Sequence, residues 1–286
     1  LGVTGPNEYE NNVNNNWYTN YIAKWCLEYT AEQVEKTKEK SPENFKRIAE
    51  KTKINLEEVR EWNVISKNVY FPYNEEKQVF LQQDGFLDKQ LLPVSSLDSS
   101  ERPINQNWSW DRILRSPYIK QADVLQGFYF FENHFDLETL KRNYNFYEPL
   151  TVHESSLSPC VHSILASRLG KEDQAYEFYL RTARLDLDDY NTEIEEGLHI
   201  TSMAGTWMSI VEGFAGMRIQ NDQLCFRPRL PKAWNEIEFR INFRNVILSV
   251  TISQKNISFS TNSNASLSLF VYDKEIQIKG ETSVAF

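Results

Sequence analysis

Glu8 is the first residue of this chain that could carry out chemistry, and it lies in the segment from Gly2 to Tyr9. Gly5-Pro6 predicts a turn, and Asn7 tolerates backbone angles that most residues avoid. Glu8 is therefore expected on a loop. A carboxylic acid at the mouth of a helix array can be partly desolvated, which raises its pKa and suits it to donate a proton near neutral pH. The alternative interpretation is a capping turn whose glutamate is merely solvated.

His199 is the second candidate, in the polar segment from Glu195 to Trp207. Ser202 is predicted to cap the following helix, so that the backbone N–H groups of the first turn point outward beside His199. A helix N-terminus beside a histidine suits an anion such as phosphate. The alternative is a capped helix with a packed histidine.

Two more polar pairs lie at predicted element ends. Lys120 and Gln121 offer donors for sugar hydroxyls, or they form a solvated helix start. His153 and Glu154 are an acid/base pair, supports of such a pair, or a cap for the helix at Ser158. No cluster of His, Cys, Asp or Glu has the spacing of metal ligands, so no metal is expected.

Helical periodicity predicts the elements that position these residues. Three helices come first, and a long excursion over residues 69–117 separates them from the rest. Aromatic residues in the excursion favour packing or sugar stacking. Asp136 and Ser158 are expected N-caps. The predicted helices are residues 16–40, 45–51, 56–68, 121–131, 137–147, 159–169, 171–187 and 202–217.

Apolar and polar residues alternate after Asn221, which predicts strands. We therefore expect a mainly α chain with a small antiparallel β-domain at its C-terminal end. The predicted domains are residues 1–220 and 221–286, and residues 218–235 cross between them.

Composition restricts the partners. The net charge of −9 is divided into −11 over the first 220 residues and +2 over the rest, which argues against nucleic acid as a partner. No apolar run has the roughly 20 residues of a membrane span. Three widely spaced cysteines are expected to be reduced, which indicates a cytoplasmic location.

Four segments together resemble glycoside hydrolase family 65, the inverting disaccharide phosphorylases, and within that family the enzymes that cleave maltose. The resemblance runs along nearly the whole chain. The most specific segments are Thr4–Tyr9 with Asn15–Asn20, Lys120–Asp123, Thr151–Pro159 and Gly197–Thr206.

The resemblance implies an (α/α)6 barrel that follows an N-terminal β-sandwich and precedes a small β-domain, in an enzyme that is commonly a homodimer. Residues 1–220 provide too little chain for twelve barrel helices. The chain is therefore expected to be the second half of the barrel followed by a small antiparallel β-sandwich. It would be the C-terminal portion of a longer polypeptide and inactive by itself. The family's upstream Trp-Asp motif is absent, because Trp110-Asp111 lies downstream of Glu8.

The resemblance also implies residue roles. Glu8 corresponds to the general acid, and Lys120 with Gln121 corresponds to a sugar-binding pair. The phosphate-binding residues correspond to His199, Thr201, Ser202 and Gly205. Inorganic phosphate is then the co-substrate, and no cofactor is expected.

The predicted reaction is inverting phosphorolysis of maltose to β-glucose 1-phosphate and glucose, with disaccharide and phosphate as partners. One alternative is an inverting hydrolase in which Glu154, Glu195 or Glu196 acts as general base. Another is a non-catalytic carbohydrate-binding module, favoured by the aromatic excursion.

Overall fold

The computed structural model describes residues 1–262 and 266–286. The chain is mainly helical with a C-terminal β-domain, which confirms the predicted fold class. It forms two compact units, Leu1–Val152 and His153–Phe286, each described by itself. The predicted domain boundary at residue 220 stays a prediction. Over the described ranges, no helix combines the length and apolar character needed to cross a membrane.

The first unit consists of helices and a short hairpin. The excursion over residues 69–117 holds the hairpin, several 3-10 turns and two short helices. The elements are α1 (Trp17–Lys40), α2 (Pro42–Thr52), α3 (Leu56–Lys67), β1 (Tyr73–Asn74), β2 (Val79–Phe80), α4 (Ile104–Asn107), α5 (Trp110–Arg115), α6 (Val124–Phe130) and α7 (Leu137–Tyr147).

Side-chain caps define the helix starts in this unit. The Asn16 side chain accepts a hydrogen bond from the Thr19 N–H at 2.8 Å, which satisfies a free donor at the start of α1. Asp136 accepts from the Thr139 N–H at 2.6 Å, as predicted from the sequence. Local capping chemistry therefore sets these boundaries.

Trp17 is the centre of an aromatic core. Its side chain is 0% exposed, and its ring stacks on Phe128 with centroids 5.6 Å apart and on Tyr21 at 5.0 Å. Gly127 allows this close approach, because a Cβ atom added there would lie 2.4 Å from Trp17 Cζ3. The aromatic core thus fixes α1 against α6.

The second unit begins with α8 (Ser158–Arg168), α9 (Glu172–Ala183), α10 (Leu185–Asp188) and α11 (Ile200–Met208), and α11 continues as a π-helical turn, Ser209–Phe214. Two predicted N-caps were wrong. Ser158 is the first residue of α8 and its hydroxyl contacts His153 Nδ1 at 2.8 Å. Ser202 lies inside α11, which begins at Ile200. Both hydroxyls have buried partners and no role in capping.

Two four-stranded sheets form the rest of this unit. Their orders are β10-β7-β6-β5 and β3-β4-β8-β9. Among the described strands, all pairs are antiparallel except β4 with β8, which is parallel. The expectation of an entirely antiparallel β-domain was therefore wrong for this pair. The strands are β3 (Arg218–Gln220), β4 (Gln223–Phe226), β5 (Glu236–Phe243), β6 (Val246–Ser253), β7 (Asn256–Thr261), β8 (Leu267–Val271), β9 (Lys274–Ile278) and β10 (Glu281–Ala285).

The inward positions of both sheets share one apolar core, so the sheets form a sandwich. Leu248 and Val250 of β6 and Leu269 of β8 are each 0% exposed. The rings of Phe226 and Phe259 lie 5.3 Å apart across the sheets. Period-2 alternation, read from the sequence, accounts for this burial.

His162 of α8 makes the stability of the second unit depend on pH. Its side chain is 0% exposed and its Nδ1 lies 3.0 Å from the Ser158 carbonyl oxygen. Burial lowers its pKa from 6.5 to about 4. As the pH falls, His162 of the unfolded chain binds a proton near pH 6.5, before the buried His162 of the folded chain does. We therefore expect the contribution of His162 to stability to be full above pH 6.5 and to be lost as the pH falls to about 4. The loss is roughly 3 kcal/mol.

Denaturant unfolding of the chain between pH 7 and pH 4 measures this loss. The same titration of His162→Gln isolates the contribution of His162, because the other titrating groups remain. We expect a shallower decrease in the free energy of unfolding for the variant. Equal slopes for the two proteins would contradict the assignment.

Candidate active site

Glu8 lies at the tip of a tight turn in the first unit. Val3 and Val13 pair by two backbone hydrogen bonds of 2.9 Å, which close the segment that carries the turn. Gly5 fits here because an added Cβ atom would lie 2.3 Å from Asn16 Nδ2. The Glu8 side chain is 55% exposed in this chain. The desolvation expected from the sequence is therefore not supplied by the first unit.

Lys120 and Gln121 both contact this turn. Lys120 Nζ donates to Glu8 Oε2 at 2.5 Å, and the Lys120 backbone N–H donates to the Asn7 side-chain oxygen at 3.0 Å. Gln121 Nε2 donates to the Pro6 carbonyl oxygen at 2.8 Å. The structure thus brings together three residues predicted from segments more than a hundred positions apart.

The two members of the Lys-Gln pair differ in what they can offer a sugar. The Lys120 side chain is 21% exposed beside Glu8, so its amine can reach a ligand. Gln121 is 5% exposed and its amide nitrogen is bound to the turn. Its Oε1 atom is buried and has no hydrogen-bond partner within residues 1–262 and 266–286. Sugar binding by both residues stays a prediction.

Asp123 contacts the Glu8 turn and was not among the site residues predicted from the sequence. Its carboxylate accepts hydrogen bonds from the Asn7 N–H at 3.1 Å and from Asn16 Nδ2 at 3.0 Å. Burial raises the pKa of Asp123 to about 7, although these two donors act in the opposite direction. Its place in the Lys120–Asp123 segment was the signal that could have found it.

His199 lies in the second unit, where Asp186 holds it in place. Its Nδ1 atom is 2.5 Å from Asp186 Oδ1, and its backbone N–H donates to Asp186 Oδ2 at 3.0 Å. Both hydrogen bonds lower the pKa of Asp186. Because Nδ1 is engaged, Nε2 is the ring atom that remains for a ligand, with Glu193 Oε2 3.9 Å away.

Thr201 follows His199 on the first turn of α11. Its hydroxyl oxygen lies 2.8 Å from the Ser156 hydroxyl oxygen, in an exposed contact. Ser156 comes from the Thr151–Pro159 segment, in which the sequence indicated His153 and Glu154 but not Ser156. The structure therefore joins two of the four polar segments at one pair of hydroxyl groups.

Ser202 and Gly205 lie on buried faces of α11. The Ser202 hydroxyl donates to the Thr182 carbonyl oxygen at 2.7 Å, so its proton is already engaged within the protein. A Cβ atom added at Gly205 would lie 2.8 Å from Cys160 Cβ, which shows that this glycine permits close packing of α11 on α8. The geometry gives both residues packing contacts, and phosphate binding by them stays a prediction.

The two carboxylates of the hydrolase alternative whose side chains the structure describes, Glu154 and Glu195, differ in exposure. Glu154 is 1% exposed, whereas Glu195 is exposed on a 3-10 turn. The side chain of Glu196 lies outside the part that the structure describes. His153, beside Glu154, contacts the Ser158 hydroxyl through Nδ1, and its carbonyl oxygen accepts a hydrogen bond from Arg181 Nη2 at 3.0 Å. No group of three or more potential metal ligands occurs among the described residues.

Two family models match the chain. The glycosyl hydrolase family 65 central catalytic domain matches residues 1–208, and the family 65 C-terminal domain matches residues 217–278. The chain therefore belongs to glycosyl hydrolase family 65.

Its relatives include phosphorylases with different names. It is 54% identical to a maltose phosphorylase of Bacillus subtilis over 98% of this chain and 36% of the relative. It is 40% identical to an alpha,alpha-trehalose phosphorylase of Thermoanaerobacter brockii, again over 98% of this chain and 36% of the relative. The chain thus spans about a third of the length of these relatives.

The fold has a counterpart among solved structures. A protein provisionally described as a kojibiose phosphorylase from the human microbiome matches all of this chain and 42% of its own length. The TM-score is 0.91 and the sequence identity is 37%.

Proposed function

We propose that this chain contributes the general acid and part of the phosphate site to an enzyme that carries out inverting phosphorolysis of an α-glucosidic disaccharide. The observation that carries the proposal is the turn in which Lys120 contacts both Glu8 and Asn7. Its Nζ atom donates to the Glu8 carboxylate and its backbone N–H donates to the Asn7 side chain. The names of the relatives, all phosphorylases, support the class of reaction. Because the chain spans about a third of those relatives, the activity is proposed for a polypeptide of their full length that contains it.

In the proposed mechanism, Glu8 donates its proton to the glycosidic oxygen while a phosphate oxygen attacks the anomeric carbon from the opposite face. The bond to the leaving glucose breaks as the bond to phosphate forms, and β-glucose 1-phosphate is released with glucose. Phosphate is already anionic near neutral pH, so no second carboxylate is needed as base. Lys120, which contacts Glu8, and Gln121 are proposed to bind sugar hydroxyls.

We assign the phosphate to the start of α11. His199 Nε2 and the Thr201 hydroxyl are its proposed contacts, with the Ser156 hydroxyl beside them. Ser202 and Gly205 belong to the same proposed phosphate site, and their buried contacts also hold α11 against its neighbours. An acidic protein needs such donors to hold a multiply charged anion.

Maltose is the proposed disaccharide, supported by the higher identity to the maltose phosphorylase than to the trehalose enzyme. We further propose a cytoplasmic homodimer that needs no metal or cofactor. Residues 1–220 would form half of an (α/α)6 barrel, and residues 221–286 a separate β-domain. The 286-residue chain by itself is proposed to be inactive.

The test is product formation from maltose, trehalose and kojibiose, each with and without phosphate, by the full-length polypeptide. We expect phosphate-dependent β-glucose 1-phosphate, fastest from maltose. Glucose release that is indifferent to phosphate would overturn the proposal in favour of hydrolysis. Binding of maltose without any product would favour a carbohydrate-binding module.

Thr201→Val tests the phosphate site, because it removes the hydroxyl and keeps the size of the side chain. Loss of a hydrogen bond to a charged group costs about 1.5 to 3 kcal/mol. We therefore expect the KM for phosphate to rise at least about tenfold, with the KM for the disaccharide nearly unchanged. Initial rates over a phosphate series measure this.

Thr206→Val is the matched control, because Thr206 lies on the same helix and donates within it to the Ser202 carbonyl oxygen at 2.9 Å. It is expected to keep the wild-type KM for phosphate. An unchanged KM for phosphate in Thr201→Val would remove Thr201 from the site.

A further inference from the structure

Asp123 is at the N-cap position of α6, yet its side chain makes no hydrogen bond to that helix. An aspartate at this position normally accepts from the N–H groups of its own first turn. Here the carboxylate instead reaches the Asn7 N–H, 116 positions away, and Asn16 Nδ2. The Asp123 side chain therefore does not cap α6 and instead binds the turn that carries Glu8.

One of the two contacts of Asp123 is with the residue adjacent to Glu8. Its Oδ2 atom accepts from the backbone N–H of Asn7, the residue that precedes Glu8. Gly5 brings the chain so close that an added Cβ atom would lie 2.4 Å from Asp123 Oδ2. Lys120 and Gln121 hold the same turn through Asn7 and Pro6. The direction of the Glu8 side chain is therefore set by this cluster.

Burial of this carboxylate is unfavourable. Asp123 is 2% exposed, and its hydrogen-bond donors are the Asn7 N–H and the Asn16 amide. Its charge also helps to raise the pKa values of Tyr18 and Tyr147. The Glu8–Lys120 ion pair lies beyond Asn7. A neutral side chain of equal size would avoid the desolvation that raises the pKa of Asp123 to about 7. Such costly ionisable groups concentrate at functional sites.

We propose that Asp123 is a positioning residue for the general acid: as a carboxylate it holds the Glu8 turn through the Asn7 N–H and the Asn16 amide. This inference rests on the proposed role of Glu8. The Asn16 amide contacts both carboxylate oxygens, at 3.0 and 3.2 Å. In Asp123→Asn, an NH₂ group replaces one of these acceptors and the remaining oxygen carries no charge, so its hydrogen bonds to the Asn7 N–H and the Asn16 amide weaken. The turn would loosen, and proton delivery to the glycosidic oxygen would slow.

The experiment compares two substrates of the full-length enzyme that differ in their need for a proton. Disaccharide phosphorolysis needs an acid for the leaving oxygen. With α-glucosyl fluoride, phosphate displaces fluoride to give β-glucose 1-phosphate, and fluoride leaves with little help from an acid. For Asp123→Asn we expect kcat on the disaccharide to fall about ten- to a hundredfold with little change in KM. The rate on the fluoride should stay within about twofold.

Asp84→Asn is the matched control. Asp84 is an aspartate of the same unit that accepts from Asn15 Nδ2 at 2.7 Å and makes no contact with the Glu8 turn in the described residues. It is expected to behave as wild type with both substrates. Gly5→Ala is a second variant, because its Cβ atom would displace the Asp123 carboxylate; it should show the same difference between substrates.

The Glu8→Gln variant distinguishes failure of the proposed role of Asp123 from failure of the proposed role of Glu8. If it loses disaccharide phosphorolysis and keeps the fluoride reaction while Asp123→Asn behaves as wild type, only the role of Asp123 is overturned. If Glu8→Gln keeps the disaccharide reaction, the proposed function of Glu8 itself fails. Equal losses on both substrates in Asp123→Asn would indicate a structural role and also overturn the inference.

The pH profile provides an independent readout. Protonation of Asp123 neutralises the carboxylate that the two donors contact and weakens both hydrogen bonds, so wild-type kcat on the disaccharide should fall as the pH drops through about 7. Inorganic phosphate gains a proton in the same pH range, but it does so with both proteins. We expect this additional acidic decrease to be absent from Asp123→Asn. Superimposable profiles would contradict the proposal.

Discussion

Glu8→Gln is expected to abolish disaccharide phosphorolysis by the full-length enzyme, because glutamine keeps the size of the side chain and has no proton to transfer. General acid catalysis contributes about 10²- to 10⁴-fold to a rate, and we expect kcat to fall within or beyond this range. Release of β-glucose 1-phosphate from maltose at saturating phosphate measures the loss. Wild-type turnover in the variant would exclude Glu8 as the acid.

Sugar binding should be nearly intact in the same variant, since the substitution removes chemistry and leaves the shape of the site. Equilibrium binding of maltose is expected to change by no more than a few fold. Loss of stability cannot account for the effect, because the Glu8–Lys120 pair is half exposed and such pairs contribute about 0 to 1 kcal/mol.

Glu57→Gln is the matched control for Glu8→Gln. Glu57 is also an exposed, ion-paired glutamate, 2.9 Å from Arg60 on the surface of α3. It is expected to keep wild-type kcat. A large loss in this control would mean that the assay responds to surface charge and not to the proton donor.

Trp17→Ala is expected to destabilise the first unit by about 3 to 5 kcal/mol, the usual cost of removing a buried tryptophan. Trp17 is 0% exposed and stacks on Phe128 with an interplanar angle of 9°. The loss is a large fraction of the stability of an ordinary domain. Chemical denaturation followed by circular dichroism of the chain measures it.

Trp25→Ala is the control on the same helix. Trp25 is 37% exposed and stacks on Tyr29 at the surface with ring centroids 5.1 Å apart. We expect a loss of less than about 1.5 kcal/mol, since much of the ring already contacts water. Equal losses for the two tryptophans would contradict the assignment of Trp17 as the centre of the core.

Much of the architecture could be read from local patterns. Asp136 caps its helix where the sequence predicts, because capping involves residues only three positions apart. Alternating burial along β6 follows from the period of a strand. The turn at Gly5-Pro6 was predicted from residues that favour turns.

Local sequence patterns are ambiguous where one residue type has two common structural roles. Ser158 and Ser202 both resemble N-caps in sequence, yet one contacts His153 and the other donates to the Thr182 carbonyl oxygen. The residue that lies opposite a buried hydroxyl depends on how helices pack, and helix packing has no local signature. The parallel pairing of β4 with β8 is a similar case, because it joins segments about forty residues apart.

The sequence by itself determined the class of fold, the turn that presents Glu8 and the four polar segments of the candidate site. These depend on periodicity, turn chemistry and short motifs, each of which acts over a few residues. Only the tertiary structure decided that Lys120, Gln121 and Asp123 converge on that turn, and that Thr201 meets Ser156. The physical reason is that a polar group takes whichever partner the packed chain brings within hydrogen-bond distance, and that partner is more than forty positions away in each case.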